Sequence, residues 1–339
     1  MRSIAVIDKG KSFLVRLVLT VAVLNITIII AAGQKSTSSS GLLPGAQTRD
    51  PQSMSENSDG AINLSTNLVC VAVTITDRDG RAIAGLHKED FRIFDDKAQQ
   101  TISFFSEEDT PASVAIVFDT SKSMSGRAIE RAKEALAHFM QTSHPQDEFF
   151  LIGFGSRPQL LLEKERDGQA VLDKFTYVQP AGDTALYDAV EMALGELSKG
   201  SYHKHAIILI SDGEENNSRT ASGQLHRDLE ESGAVVYTVR VGNLPLPKST
   251  GGMVMDQIAN VSGGKSFWPD NSERMDEAFE QIALDLRRQY SIGYLPANFV
   301  ADGRLHKIKV VVSNPGDRSR DVIVRNRQGY YAIAQFPVQ

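Results

Sequence analysis

The sequence predicts a doubly wound α/β domain, a mostly parallel sheet with helices on both faces, together with a smaller all-β, sandwich-like domain. Three observations carry this. Runs such as "SVAIVFD" (113–119) and "KHAIILISD" (204–212) are too continuously apolar for strands with one wet face, so both faces must be covered. These runs alternate with amphipathic stretches of helical period, the rhythm of β-α-β units. The segments before and after that stretch have strand character without helices. At 339 residues the chain has room for about two domains, and 41% hydrophobic content is enough to give each a core. A net charge of −6 with scattered basic residues leaves no electrostatic footprint for nucleic acid, and that class is excluded.

The N-terminus carries Arg2, Lys9, Lys11 and Arg16 ahead of "LVLTVAVLNITIIIAAG" (17–33), a run without charge. A basic region, an apolar region and the small residues Ala31, Ala32 and Gly33 form the pattern of an export signal, with cleavage before Gln34. The run is also at the lower length limit for a spanning helix, so a retained N-terminal membrane anchor is the other reading of 1–33. Either way the expectation is an exported protein, extracellular or periplasmic, secreted or anchored. Gln34 stands where a lipoprotein would need cysteine, which excludes lipidation. Residues 34–62, rich in Ser, Gly, Gln and Pro, have too little apolar area to offset ordering entropy and are expected to be a disordered linker.

The β segment 63–110 opens with "LVCVAVTI", a strand in which the single cysteine, Cys70, is expected to be small core filler. "DRDG" (77–80) reads as a β-turn in preference to a calcium loop, whose other ligands are missing. "DFRIFDD" and "TISFF" are two further short strands. From 111 to 288 the order is strand 113–119, helix 126–143, strand 147–155, helix 184–200, strand 204–212, helix 222–233, strand 234–242, a short helix 255–264, a short strand 265–268 with Trp268 in the core, and a long helix 272–289. Residues 289–335 return to strands. Neither β segment has enough strands to close a core alone, so the two are expected to pack together, with the α/β domain inserted between them.

In open α/β sheets, ligands bind beyond the carboxyl ends of strands where the strand order reverses. Three segments bring polar residues there: "DTSKSM" with Asp119, Ser121 and Ser123, "GDTALYDA" with Thr184, and "LISDGEEN" with Asp212. Two carboxylates and three hydroxyls, with no histidine or thiolate, suit a hard cation such as Mg²⁺ or Mn²⁺ rather than zinc. A serine nucleophile would need a base, yet His203 and His205 lie at the entering end of their strand. A phosphate loop would need more glycines and a lysine before Ser or Thr. An aspartate engaged in phosphoryl transfer remains open at Asp119. Helix capping by Asp119 or Ser121 explains neither Thr184 nor Asp212.

Those three segments resemble the metal-ion-dependent adhesion site of von Willebrand factor type A domains, whose fold is a doubly wound, Rossmann-like sheet. All five positions match: Asp119, Ser121, Ser123, Thr184 and Asp212. The flanking "VTITDRDGRAIAGLHKEDFRIFDD" and "RRQYSIGYLP" resemble a group of exported bacterial proteins carrying such a domain, best known among acidobacteria. The resemblance implies a non-enzymatic, metal-dependent adhesion module. In the family the serines and threonine bind Mg²⁺ (or Mn²⁺ or Ca²⁺), the aspartates often act through water, and a partner protein's Asp or Glu fills the remaining position. The competing expectations are a metal-dependent phosphoester hydrolase using Asp119, and a structural assembly subunit.

Overall fold

Every residue of the strand Ser113–Asp119 is buried, and its alternate side chains enter two different apolar clusters. Val114, Ile116 and Phe118 join Leu136, Phe139, Phe175 and Phe279, whereas Ala115 and Val117 join Leu186, Val190, Leu225 and Ile258. A strand apolar on both faces is satisfied only between two helix layers, and each buried Val or Ile contributes about 1.5–3 kcal/mol by leaving water. The computed structural model describes residues 67–107, 109–124, 127–176, 182–241, 250–313 and 322–333. The expected signal or anchor (1–33) and linker (34–62) lie outside the described residues.

In chain order the elements are β1 (Val69–Thr76), β2 (Phe91–Asp95), β3 (Ala98–Gln100), β4 (Ile102–Ser106), β5 (Ser113–Asp119), α1 (Arg127–Thr142), β6 (Glu148–Phe154), β7 (Pro158–Glu165), α2 (Gly168–Thr176), α3 (Leu186–Leu197), β8 (His205–Ser211), α4 (Ser222–Ser232), β9 (Val235–Arg240), α5 (Thr250–Ser262), β10 (Lys265–Phe267), α6 (Ser272–Arg287), β11 (Tyr290–Tyr294), β12 (Leu305–Val312), β13 (Ile323–Arg325) and β14 (Gly329–Tyr331). The central sheet runs β10-β9-β8-β5-β6-β7. Its strands are parallel except β7, which pairs antiparallel with β6. The chain moves from β5 to β6 and β7 on one side, then returns to β8, β9 and β10 on the other. β5 therefore stands where the strand order reverses, which puts Asp119 at the crevice such sheets use for ligands.

β7 and α2 are elements the sequence reading leaves unassigned. β7 is an edge strand with half-exposed residues and two register shifts against β6, so its apolar pattern is broken. α3 begins at Leu186, which leaves Thr184 on the preceding loop. α5 is longer than expected and begins through Gly251 and Gly252. The reason is a close approach: a Cβ on Gly251 would fall 2.5 Å from the Gly213 carbonyl oxygen, and one on Gly213 equally near that of Gly251. Glycine at both positions lets α5 start against the loop after β8.

The remaining strands form two antiparallel four-stranded sheets, ordered β13-β1-β11-β4 and β14-β12-β2-β3. Each mixes strands from before and after the α/β layers. Val71, Val73 and Ile292 of the first sheet share one apolar cluster with Phe91, Ile93, Ile308 and Val310 of the second. The described residues all fall in one compact unit, α/β and β layers together. Arg327, buried, ties them by donating from Nη1 to the Glu230 carbonyl (2.6 Å) and from Nη2 to the Cys70 carbonyl (2.9 Å).

Two expectations are corrected. Cys70 is exposed, because Val69, Val71 and Val73 take the core-facing positions of β1 and the strand period turns residue 70 outward. Trp268 is only half-buried and lies under the Arg240 guanidinium, 4.8 Å from its ring centroid. The "DRDG" segment is a turn: Gly80 N donates to Asp77 O (3.1 Å), with Gly80 at φ +83°.

Candidate functional site

β5 and β8 are parallel neighbours with Phe118 opposite Ile210, so their carboxyl ends emerge side by side. Asp119 ends β5 with 0% exposure. Its Oδ1 accepts from the Ser121 amide (2.8 Å) and its Oδ2 from the Ser211 hydroxyl (2.6 Å), which clips the end of one strand to the other. Ser211 Oγ in turn accepts from Gly213 N (3.0 Å), which sets the course of the chain towards Asp212. Beyond Asp119 the chain enters a short turn, and the hydroxyls of Ser121 and Ser123 come within 2.9 Å of each other.

Further contacts draw in the other loops. Lys122 N donates to the Gly182 carbonyl at 3.4 Å, joining the β5 loop to the segment before α3. Gly182 has φ +87°, and a Cβ there would meet Ser156 Oγ at 2.5 Å, so glycine is required beside the Ser156 turn. Thr184, 1% exposed, is fixed through its backbone: its N–H donates to Asn216 Oδ1 (2.9 Å), and its carbonyl accepts from Asn216 N and Asn217 N (both 3.1 Å). Asp212, just past β8, accepts from Glu214 N at 3.1 Å and is half-buried. The structure thus links Asp119, Ser121 and Ser123 directly, and links the loops that carry Thr184 and Asp212 by backbone and Asn216 contacts.

Burial pushes the Asp119 carboxyl up to about 6, against the hydrogen bonds from Ser121 and Ser211, and the Asp212 charge adds to the rise. Charging this carboxylate away from water is costly without a cation nearby. The donor set fits a hard cation: all five side chains offer oxygen only. The 2.9 Å between the serine hydroxyls is also the spacing of about 2.9 Å between adjacent ligands of an octahedral ion with bonds near 2.05 Å.

Two supporting residues, Ser211 and Asn216, are not singled out from sequence. Ser211 could have been, as the one hydroxyl in the buried run "AIILIS". Asn216 has no such signal, and Glu215 is expected from sequence to stand with Glu214 at the rim, just after Asp212. Glu215 is instead half-buried and engaged: it accepts from Tyr187 N in the first turn of α3 (3.0 Å) and from Ser218 N (2.9 Å) and Ser218 Oγ (2.7 Å) of its own loop, which leaves Glu214 as the exposed acid there.

Residues 114–215 match the family model described as von Willebrand factor type A domain. Among curated relatives, the chain is 24% identical over 243 residues to inter-alpha-trypsin inhibitor heavy chain H4 of Homo sapiens, an alignment covering 65% of this chain and 26% of that one. It is 27% identical over 203 residues to a UPF0353 protein of Mycolicibacterium paratuberculosis, covering 52% and 61%. Alignments to the first curated relatives thus span from about a quarter to about three fifths of those proteins. Solved structures of similar fold include an aerotolerance-related membrane protein from Bacteroides fragilis (20% identity, TM-score 0.44, covering 52% of this chain and 98% of that one) and the SpRpn10 VWA domain (15%, TM-score 0.42, covering 52% and 97%).

Proposed function

With a von Willebrand factor type A domain at the centre of the chain as premise, we propose that this is an exported, divalent-metal-dependent protein-binding module. It would capture an acidic side chain of a partner protein at the strand-end loops. The observation that carries the proposal is the run of hydrogen bonds from Ser211 through Asp119 and Ser121 to Ser123, which holds oxygen donors at ligand spacing beside a buried carboxylate. Asp119, Ser121, Ser123, Thr184 and Asp212 are the residues assigned to Mg²⁺, with Mn²⁺ or Ca²⁺ as substitutes. Once bound, the ion supplies a positive charge with a coordination position open to an outside carboxylate. Ser121, Ser123 and Thr184 are neutral donors and leave that charge largely uncompensated. Asp119 is held from both oxygens, which keeps it in place and makes it a poor nucleophile, so a phosphoester hydrolase is disfavoured. Exposed Glu214 at the rim repels a broadly acidic surface and favours a single isolated Asp or Glu. Export rests on the basic N-terminus and the uncharged run 17–33. No described helix is long and apolar enough to cross a membrane.

Isothermal titration with MgCl₂ tests the site: one ion is expected to bind, and Asp119→Ala to abolish it. Unchanged affinity in that variant refutes the assignment. A pull-down with and without chelator then separates adhesion from a purely structural role. Partner capture should vanish with chelator and weaken strongly in Ser121→Ala. Replacing the captured partner's acidic residues singly by amides should find one that matters.

A further inference from the structure

Another carboxylate is buried in the antiparallel layers, in a different sheet from the strands that carry those loops. Asp95 ends β2 with 5% exposure. Its Oδ2 accepts from two tyrosine hydroxyls, Tyr330 at 2.9 Å and Tyr294 at 3.1 Å, while its Oδ1 is buried and accepts no hydrogen bond. That free oxygen faces His306 of β12, whose Nδ1 lies 3.4 Å away. The next residue, Asp96, occupies the hairpin turn to β3 at φ +44° and brings its Oδ2 to 3.2 Å from the same Nδ1. Asp96 Oδ1 is already used, accepting from Lys307 N at 3.0 Å. The ligand atoms of Asp95, Asp96 and His306 all lie within 4.8 Å of one another.

We propose that Asp95, Asp96 and His306 form a second cation site, for a zinc-class divalent ion, distinct from the strand-end loops. An imidazole nitrogen carries at most one proton, so Nδ1 cannot donate separately to both carboxylates. A charged histidine would account for the approach of Asp96 but leaves Asp95 Oδ1 buried and without a donor. A cation between the three satisfies every atom. Ligands at about 2.0–2.1 Å around a tetrahedral ion stand about 3.3–3.4 Å apart; the two imidazole–carboxylate separations are 3.2 and 3.4 Å, and the two carboxylates lie within 4.8 Å of each other. The surroundings have the supports that orient metal ligands. Two tyrosines grip the far oxygen of Asp95. The outer imidazole nitrogen, Nε2, faces Asp302 Oδ1 at 3.5 Å, and the ring stacks on Tyr330 with centroids 5.4 Å apart. Asp302 is itself held by Arg304, through the amide at 2.9 Å and Nε at 2.7 Å. One nitrogen and two carboxylates suit zinc, with a fourth position for water, whereas Mg²⁺ favours an all-oxygen shell.

The test is titration of the full chain with ZnCl₂ in saturating MgCl₂, with melting temperature followed in parallel. The expected result is one zinc per chain and a zinc-dependent rise in melting temperature. Both are lost in His306→Gln, and the affinity is weakened at least tenfold in Asp96→Asn, which keeps an acceptor for Lys307 N. Magnesium binding is expected to be unchanged in both variants, which also reports that they fold. Failure to bind zinc, equal binding by both variants, or zinc that is displaced by magnesium and lost in Asp119→Ala would each overturn the proposal. A melting temperature that falls equally with and without zinc in His306→Gln identifies an ion pair only, and overturns it as well.

Discussion

Asp119 and Asp95 are the same residue type, both buried at the end of a strand, and the company each keeps differs. Asp119 is met by the Ser121 amide and the Ser211 hydroxyl in an α/β crevice. Asp95 is met by two phenols and an imidazole from antiparallel sheets. The parallel sheet exposes only strand ends, so its candidate site is assembled from loops rich in hydroxyl residues. The antiparallel layers bring side chains together across neighbouring strands, so aromatic and imidazole groups that pack in a β core also become its polar neighbours. The layer architecture thereby sets the softness of the donor set, and with it the class of ion that each carboxylate would take.

The harshest way to break the comparison is to remove one side of it. We propose that the strands before and after the α/β layers form one folding unit, so a chain ended at Arg288 loses β11–β14 and uncovers Val71, Val73 and Ile93. It is expected to aggregate in size-exclusion chromatography; a monomer with undiminished β signal from residues 69–106 would show the halves to be independent. Next in size, Ser211→Ala leaves Asp119 Oδ2 without its hydroxyl donor and Gly213 N without its acceptor. It should cost about 1–3 kcal/mol in urea denaturation and weaken magnesium, with zinc untouched. Tyr330→Phe should do the reverse at about 1 kcal/mol, because Tyr294 still donates to Asp95. If either substitution affects both ions alike, the two sites are not separate.

The smallest effect is confined to alkaline pH. Burial pushes the Tyr290 phenol up to about 12, while its OH donates to Ile83 O at 3.0 Å and accepts from Leu86 N at 3.2 Å. A raised phenol favours the neutral form in the folded state, so its contribution is fully present below pH about 10 and is lost as pH rises towards about 12. Melting temperature should therefore fall over that window, and Tyr290→Phe should flatten the fall. An identical slope in the variant would remove Tyr290 from the account.

How much was legible follows from range. β5 and β8 were readable because burial on both faces leaves an unbroken apolar run, and Asp119 because a carboxylate at the end of such a run has no packing role. Thr184 and Asp212 became visible through the same strand-end logic. β7 was missed because an edge strand needs to be apolar at only some positions. Cys70 was misplaced because an apolar run does not say which of its two faces is covered. The Asp95 cluster could not be read at all: Tyr330 reaches Asp95 across 235 positions, and register between distant strands is a property of the folded sheet.

Cys70 and Trp268 are the only cysteine and the only tryptophan in the chain. One is exposed on β1, and the other sits beside β10 under Arg240. The protein therefore carries its own optical ruler: a thiol-reactive acceptor dye has a single place to attach, and the indole is a single donor. Energy transfer between them reads the spacing of the β and α/β layers with no engineered residue. Adding magnesium and zinc in turn then shows, in one cuvette, whether either ion changes that spacing.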